Sequence, residues 1–226
     1  AGYVFNDICD IDTDRVNCPR RVLADDKIDL RLAKLLAGFL GAAGLVSGLF
    51  VGLWFYAGVG AILAVLIFYD ARSKRLGVFK DLLVACLMVS LYPLAVTVGE
   101  GGGSRQAVLL IHPVWIFLSS FGYEVFKDVR DMAGDRRVNK GVGFGRVGTR
   151  RMLGIARGAV MVGSLVTILP FVTGYCGYVY LAGVIAGIGL SVGGAVSKPR
   201  LAINFIYVEI FLVTAVSLGD ILYYGG

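Results

Sequence analysis

The chain has 226 residues, of which 57% are apolar and only 17% are charged, and its mean hydropathy is +0.77. A soluble domain carries roughly 25% charged residues, so the composition excludes an ordinary soluble protein. The formal net charge is +6. The basic residues flank apolar segments instead of forming a domain of their own, which argues against nucleic acid as a partner.

An aspartate-rich stretch, FNDICDIDTDRVN, occupies residues 5–17. Asp7, Asp10 and Asp14 follow an i, i+3, i+7 spacing, which stacks three carboxylates on one face of a helix. Like charges so placed repel by about a few tenths of a kcal/mol per pair, so we expect a cation against them. A calcium loop is not indicated, because Arg15 and Arg21 stand where that loop needs Gly and Glu.

Long apolar runs follow this stretch. Residues 35–69 and 158–197 contain no charge, and each is long enough for two membrane spans of about 17–20 residues. Glycine-containing breaks near Gly52 and at residues 173–178 give each run a place to turn back. Single spans fit three further segments, residues 82–99, 106–123 and 201–222. The sequence therefore predicts an all-α polytopic membrane protein, a helical bundle of seven spans.

The basic residues orient these spans. They concentrate in alternate connections, whereas the opposite connections hold only Arg105 of the 22 lysines and arginines. By the positive-inside rule, the basic connections face the cytoplasm. The interpretation is a multi-pass protein of the cell membrane whose aspartates lie on the cytoplasmic side.

A second aspartate-rich stretch, YEVFKDVRDMAGD, follows the fourth predicted span at residues 123–135. Asp128, Asp131 and Asp135 repeat the i, i+3, i+7 spacing, which predicts a single domain over 1–226 with two related halves and motifs at 6–14 and 128–135. Mg²⁺ prefers hard oxygen ligands and often completes its shell with phosphate oxygens. Two such faces can hold Mg²⁺ ions with a diphosphate between them.

Basic side chains near the motifs fit the same interpretation. Arg72, Lys74 and Arg75 lie in the connection after the second span, and Lys127 directly precedes Asp128. Arginine and lysine bind the non-bridging oxygens of a diphosphate.

Together these motifs resemble those of the UbiA superfamily of intramembrane prenyltransferases. The stretch NDICDIDTD fits the signature N-D-x-x-D-x-x-x-D, continued by Asn17, Pro19 and Arg20, and KDVRDMAGD fits D-x-x-D-x-x-x-D. Tyr69 and Lys74 are similar to a Y-x-x-x-x-K element of the family. The family has nine helices with the first signature at the end of the second, so the resemblance implies that the first helix and most of the second are absent here.

The resemblance implies Mg²⁺-assisted prenyl transfer from a prenyl diphosphate to a lipid or aromatic acceptor in the membrane. The implied metal ligands are Asn6, Asp10, Asp14, Asp128, Asp131 and Asp135. The implied catalytic residues are Asp7, Asp10, Asp14, Asp128, Asp131 and Asp135, with Asp7 a candidate base. The implied substrate-binding residues are Tyr69, Lys74, Lys127, Arg72 and Arg20.

Two loops depart from the family pattern. After Asp135 the family continues to a stretch like G-x-x-T-L-P, where this chain has RRVNKGVGFGRVG. After NCPRR it has VLADDK instead of a short loop containing Pro and Gly. No site residues are taken from these loops.

The second motif also bears on the acceptor. Its frame, E-x-x-K-D-x-x-D-x-x-G-D from Glu124 to Asp135, resembles that of archaeal members that add a second geranylgeranyl group to geranylgeranylglyceryl phosphate. A geranylgeranyl donor and an ether-lipid acceptor are therefore expected. An aromatic acceptor, 4-hydroxybenzoate or a quinone precursor, is the alternative.

Two other functions are alternatives to prenyl transfer. A cation transporter places ionisable groups near mid-membrane, whereas both clusters lie at the ends of spans. A phosphatidyl-alcohol transferase would carry D-x-x-D-G-x-x-A-R, which the sequence lacks.

Glu209, well inside the last span, is expected to face the bundle interior, towards the acceptor or a buried hydroxyl such as that of a tyrosine. His112, the single histidine, is expected to be structural.

Overall fold

The structure is a computed structural model that describes residues 1–72, 77–99, 103–137 and 148–224. All regular structure in these residues is helical, as predicted. The bounds of the ten helices are α1 Gly2–Asn17, α2 Leu30–Val51, α3 Leu53–Arg72, α4 Val78–Val89, α5 Leu91–Val98, α6 Gly103–Arg137, α7 Thr149–Val166, α8 Leu169–Val172, α9 Tyr178–Val196 and α10 Pro199–Tyr224.

Seven segments of the described chain are long and apolar enough to cross a membrane. They are Leu30–Val51, Leu53–Asp70, Val78–Val98, Val108–Met132, Thr149–Val172, Tyr178–Val196 and Pro199–Tyr223. The predicted seven spans are confirmed, and the chain is a multi-pass membrane protein. The third span differs from an uninterrupted helix, because α4 ends at Val89 and α5 begins at Leu91. The Ser90 hydroxyl donates to the carbonyl of Leu87 at this break.

The predicted turns lie where glycine permits them. Gly52, between α2 and α3, has φ 154°, and Gly174, between α8 and α9, has φ 77°. Side chains with a Cβ rarely adopt such angles, so glycine lets each helix end and the chain turn back. At its other end α2 is capped by Asp29, whose side chain accepts a hydrogen bond from the Arg31 N–H at 3.1 Å.

The described residues fall into two compact units. The first comprises residues 1–72, 77–83 and 131–137, and the second comprises residues 84–99, 103–130 and 148–224. In the first unit α1 contacts α2 and α3, which also contact each other. The predicted single domain over 1–226 stays a prediction.

The second unit has its core between α6, α9 and α10. Trp115, Tyr180 and Val213 are fully or almost fully buried there. α9 packs closely on α10, because a Cβ added at Gly183 would lie 2.5 Å from a methyl carbon of Val216. This close packing brings polar side chains of α9 and α10 within hydrogen-bonding distance.

Candidate functional site

The first aspartate motif lies on α1, so its spacing does place the carboxylates along a helix. Asn6, Asp7 and Asp10 are half-buried, and Asp14 is buried with 8% exposure. Burying a carboxylate is costly unless a cation or several donors compensate its charge.

Arg21 supplies that cation. Its Nη1 donates to Asp7 Oδ1 at 3.0 Å and to Asp14 Oδ2 at 2.8 Å. The loop after α1 folds back to allow this, since the Cys18 N–H donates to Asp14 O and the Arg21 N–H to Cys18 O. The cation expected against the first motif is thus an arginine of the chain itself.

The environment shifts the ionisation of both partners. Burial raises the pKa of Asp14 above its ordinary value, although the charge of Arg21 and its hydrogen bond oppose the change. Burial acts to lower the pKa of Arg21, but the carboxylates of Asp14 and Asp7 outweigh it and raise that pKa. The charge of Arg21 thus offsets part of the cost of burying the Asp14 carboxylate.

Asn6 has a partner that sequence analysis missed. Its side-chain N–H donates to Asp70 Oδ1 at 2.9 Å, and Asp70 is 5% exposed. Asp70 directly follows Tyr69 and is the first charged residue after a long apolar run. That position is the signal in the sequence that could have identified it. The contact ties the asparagine of the first motif to the helix that carries the predicted Tyr69.

The second motif lies on α6, where Asp128 and Asp131 are half-buried. Its lysine is paired on the same helix, because Lys127 Nζ donates to Glu124 Oε2 at 3.1 Å and to Oε1 at 3.3 Å. Glu124, the first residue of the frame of this motif, is 4% exposed. This pair fixes the direction of the Lys127 ammonium group.

The other predicted residues are placed as follows. Tyr69 is half-buried near the end of α3, and Arg20 is exposed beside Arg21. Lys74 lies outside the described residues, as do the side chains of Arg72 and Asp135. Asp131 belongs to the same compact unit as the first motif, whereas Lys127 and Asp128 belong to the other.

Glu209 faces the interior of the second unit, as expected. It is fully buried, and its Oε1 accepts from Trp115 Nε1 at 3.0 Å. Its second oxygen accepts from the hydroxyl of Ser191, so the hydroxyl partner is a serine and not a tyrosine. Glu209 thereby links α6, α9 and α10.

His112 is also a packed side chain, in keeping with the structural role expected. It is 2% exposed, with Nε2 3.4 Å from the Tyr180 hydroxyl and 3.5 Å from that of Ser217. Both hydroxyls donate elsewhere, to the carbonyls of Thr167 and Val213 respectively. Nε2 of His112 can therefore contact these hydroxyls only as a donor, with its single N–H shared between them.

The first motif suits a magnesium ion by its donor chemistry. Oxygens of Asp7 and Asp14 already converge on one cationic atom, Nη1 of Arg21, within 3.0 Å. Anionic carboxylate oxygens are the ligands that Mg²⁺ prefers. The residues present therefore fit a divalent cation in place of the guanidinium.

Comparison with known proteins agrees with the motifs. The model of the UbiA prenyltransferase family matches residues 1–202. The chain is 31% identical over 192 residues to digeranylgeranylglyceryl phosphate synthase of Sulfolobus acidocaldarius, covering 82% of this chain and 66% of the relative. It is 29% identical over 183 residues to the synthase of that name from Methanocaldococcus jannaschii, covering 80% and 62%. The chain thus spans less than two thirds of the length of these curated relatives.

A relative with a different name is also similar. Homogentisate phytyltransferase of Synechocystis is 30% identical over 142 residues, covering 59% of this chain and 46% of the relative. The match is shorter than those to the archaeal synthases.

Two solved structures share the fold. An apo UbiA homolog from Aeropyrum pernix K1 has a TM-score of 0.76 at 18% identity, covering 97% of this chain and 84% of that one. A structure from work on digeranylgeranylglyceryl phosphate synthase in membranes has a TM-score of 0.71 at 23% identity, covering 97% and 80%. Given the family match over residues 1–202, the chain belongs to the UbiA prenyltransferase family.

Proposed function

We propose that this protein is a Mg²⁺-dependent prenyltransferase that moves a geranylgeranyl group from its diphosphate to geranylgeranylglyceryl phosphate in ether-lipid synthesis. The observation that carries the proposal is the convergence of Asp7 and Asp14 oxygens on a single cation at the end of an apolar helical bundle. Membership of the family supports the reaction class. The names of the archaeal relatives support the substrates.

The proposed metal ligands are the oxygens of Asn6, Asp10, Asp14, Asp128, Asp131 and Asp135. Mg²⁺ bound there would stabilise the negative charge that grows on the departing diphosphate. Asn6 is suited to this role because its amide nitrogen is held by Asp70, which fixes the orientation of the carboxamide. Asp131 belongs to the same compact unit as the first motif, which supports its inclusion with Asn6, Asp10 and Asp14.

Basic and polar side chains are proposed to bind the diphosphate, namely Tyr69, Lys74, Lys127, Arg72 and Arg20. The structural support for diphosphate binding is strongest at Lys127, because Glu124 orients its ammonium group while the side chain stays 35% exposed. An ammonium group so placed can pair with a non-bridging phosphate oxygen.

In the proposed reaction, the bond between C1 of the prenyl group and the diphosphate oxygen breaks, and the acceptor hydroxyl oxygen bonds to C1. The hydroxyl proton leaves to a carboxylate, for which we propose Asp7. The apolar helices surround the chain of the donor and exclude water from the allylic cation. The asymmetry of basic residues supports a site on the cytoplasmic side of the cell membrane.

An aromatic acceptor is the second candidate function. The observation that favours it is the 30% identity to a homogentisate phytyltransferase. Both acceptor classes supply the nucleophile that bonds to C1 of the donor. They differ in whether the acceptor carries a phosphate, which the basic side chains would bind.

The deciding experiment uses the full-length purified protein in liposomes with labelled geranylgeranyl diphosphate and Mg²⁺. Geranylgeranylglyceryl phosphate, homogentisate and 4-hydroxybenzoate are offered in separate reactions. We expect labelled product with the glyceryl phosphate alone. Prenylation of an aromatic acid alone would overturn the proposed acceptor. Ion flux without prenyl transfer or diphosphate release would overturn the proposal that the protein is an enzyme.

A further inference from the structure

Arg21 lies against Asp14, a proposed metal ligand, and against its neighbour Asp7. Its Nη1 lies 2.8 Å from Asp14 Oδ2 and 3.0 Å from Asp7 Oδ1. A magnesium ion binds carboxylate oxygens at about 2.1 Å, and two cations so close to one carboxylate repel each other. Metal and arginine therefore compete for Asp14.

Only part of the guanidinium is used. Within the described part of the chain, Nη1 is the nitrogen of Arg21 that makes side-chain hydrogen bonds, and the side chain is 42% exposed. A guanidinium carries five N–H donors in a planar fork suited to two phosphate oxygens. Arg21 therefore has donors left for an anion.

The loop that carries Arg21 keeps it close to α1. The Asp25 N–H donates to Arg21 O at 2.8 Å, and the Lys27 N–H donates to Val22 O at 3.0 Å. These backbone bonds do not involve the guanidinium, so the turn persists when the side chain leaves the aspartates. The displaced group stays within a side-chain length of the motif.

We propose that Arg21 couples metal loading to diphosphate binding. It neutralises Asp7 and Asp14 while no divalent cation is bound, and it turns to the diphosphate oxygens once a cation has taken Asp14. The inference rests on the proposed function for its ligand, and no bond is made or broken in the exchange. It predicts ordered binding, with the metal first and the diphosphate second.

The test uses Mn²⁺ and inorganic pyrophosphate as probes, with no prenyl donor present. Mn²⁺ binding to the purified full-length protein is measured by electron paramagnetic resonance for wild type and Arg21→Gln. We expect Arg21→Gln to bind Mn²⁺ about 3- to 10-fold more tightly, since one partly exposed arginine–carboxylate contact no longer competes. Pyrophosphate binding to the Mn²⁺-loaded protein should weaken by about the same factor.

Arg15→Gln is the matched control. Arg15 also lies at the end of α1, but it pairs with Asp26 at 3.0 Å and both side chains are exposed. It reports the effect of removing one positive charge nearby. Equal shifts in Arg15→Gln and Arg21→Gln would overturn the proposal, as would unchanged Mn²⁺ affinity in Arg21→Gln.

A second variant guards against misfolding. Arg21→Lys keeps the charge, so we expect wild-type Mn²⁺ affinity, with pyrophosphate binding between those of wild type and Arg21→Gln. If Arg21→Lys behaves as Arg21→Gln does, charge is not the determinant and the proposal is wrong. A protein that exchanges these ions but fails to transfer prenyl groups would contradict the proposed function alone.

Discussion

The two aspartate motifs have the same spacing, but the basic side chain nearest to each is held differently. In the first, carboxylates on α1 hold an arginine from the following loop, because Asp7 and Asp14 both accept from Arg21. In the second, the lysine beside Asp128 is held by Glu124 of the same helix, three residues before it. A loop arginine thus pairs with the first motif, whereas beside the second motif a carboxylate orients a lysine.

Burial explains part of the difference. Asp14 is 8% exposed, whereas Asp128 and Asp131 are half-buried. A buried carboxylate is costly without a counter-ion, and the Arg21 guanidinium supplies one to Asp14. The half-buried aspartates of α6 are more accessible to water than Asp14 is.

The largest expected effect is loss of turnover on removing a metal ligand. Asp10→Ala or Asp131→Ala should lower kcat by about 10²-fold or more, because a cation that stabilises the leaving diphosphate is lost. The measurement is geranylgeranyl transfer, with size-exclusion chromatography to verify folding. EDTA should abolish the activity of the wild type.

Asp12→Ala is the matched control for Asp10→Ala. Asp12 lies on the same helix but off the i, i+3, i+7 face, and it is exposed. Its replacement should leave kcat within about twofold, as is usual for an exposed position away from the site. Wild-type rates in Asp10→Ala would remove the first motif from the site.

Lys127→Met comes next in expected size. Loss of the ammonium should raise the KM of the prenyl diphosphate by about tenfold, the loss expected for one charge-assisted hydrogen bond. Lys127→Arg should retain most of the affinity. Steady-state kinetics with the diphosphate varied would measure both, and an unchanged KM in Lys127→Met would leave Lys127 as a charge that anchors the span.

Glu124→Gln should act through Lys127. A pair at i, i+3 on a helix contributes about 0.2–0.5 kcal/mol, so losing it should raise the KM of the diphosphate only about twofold. In the Lys127→Met background the same change should have no further effect, since the group it orients is gone. Additive effects in this double-mutant cycle would show that Glu124 acts on its own.

The sequence predicts the helices but not which polar side chains pair with each other. The seven spans follow from apolar runs of membrane length, because backbone in lipid must form helices. The choice of Arg21 over Arg20 could not be made from NCPRR, since it depends on how the turn after Cys18 directs two adjacent side chains. Likewise, Asp70 meets Asn6 only through the packing of α3 on α1.

The smallest expected effect on turnover is that of Glu209→Gln, which tests whether a buried carboxylate outside both motifs takes part in the chemistry. Glu209 accepts from Trp115 and Ser191, and both donors belong to the core of the second unit. A glutamine oxygen can still accept from the indole, and the serine hydroxyl can reverse to accept from the amide. We therefore expect kcat per folded molecule to stay near that of the wild type.

Glu209→Ala separates stability from catalysis at the same position. An indole N–H can only donate, so Trp115 would lose its partner in a buried site, at a cost of about 1–3 kcal/mol. The expected result is a lower Tm in detergent for Glu209→Ala and a nearly unchanged Tm for Glu209→Gln. If Glu209→Gln instead keeps its Tm but loses turnover, the charge of Glu209 contributes to the reaction, and catalysis extends beyond the two aspartate motifs.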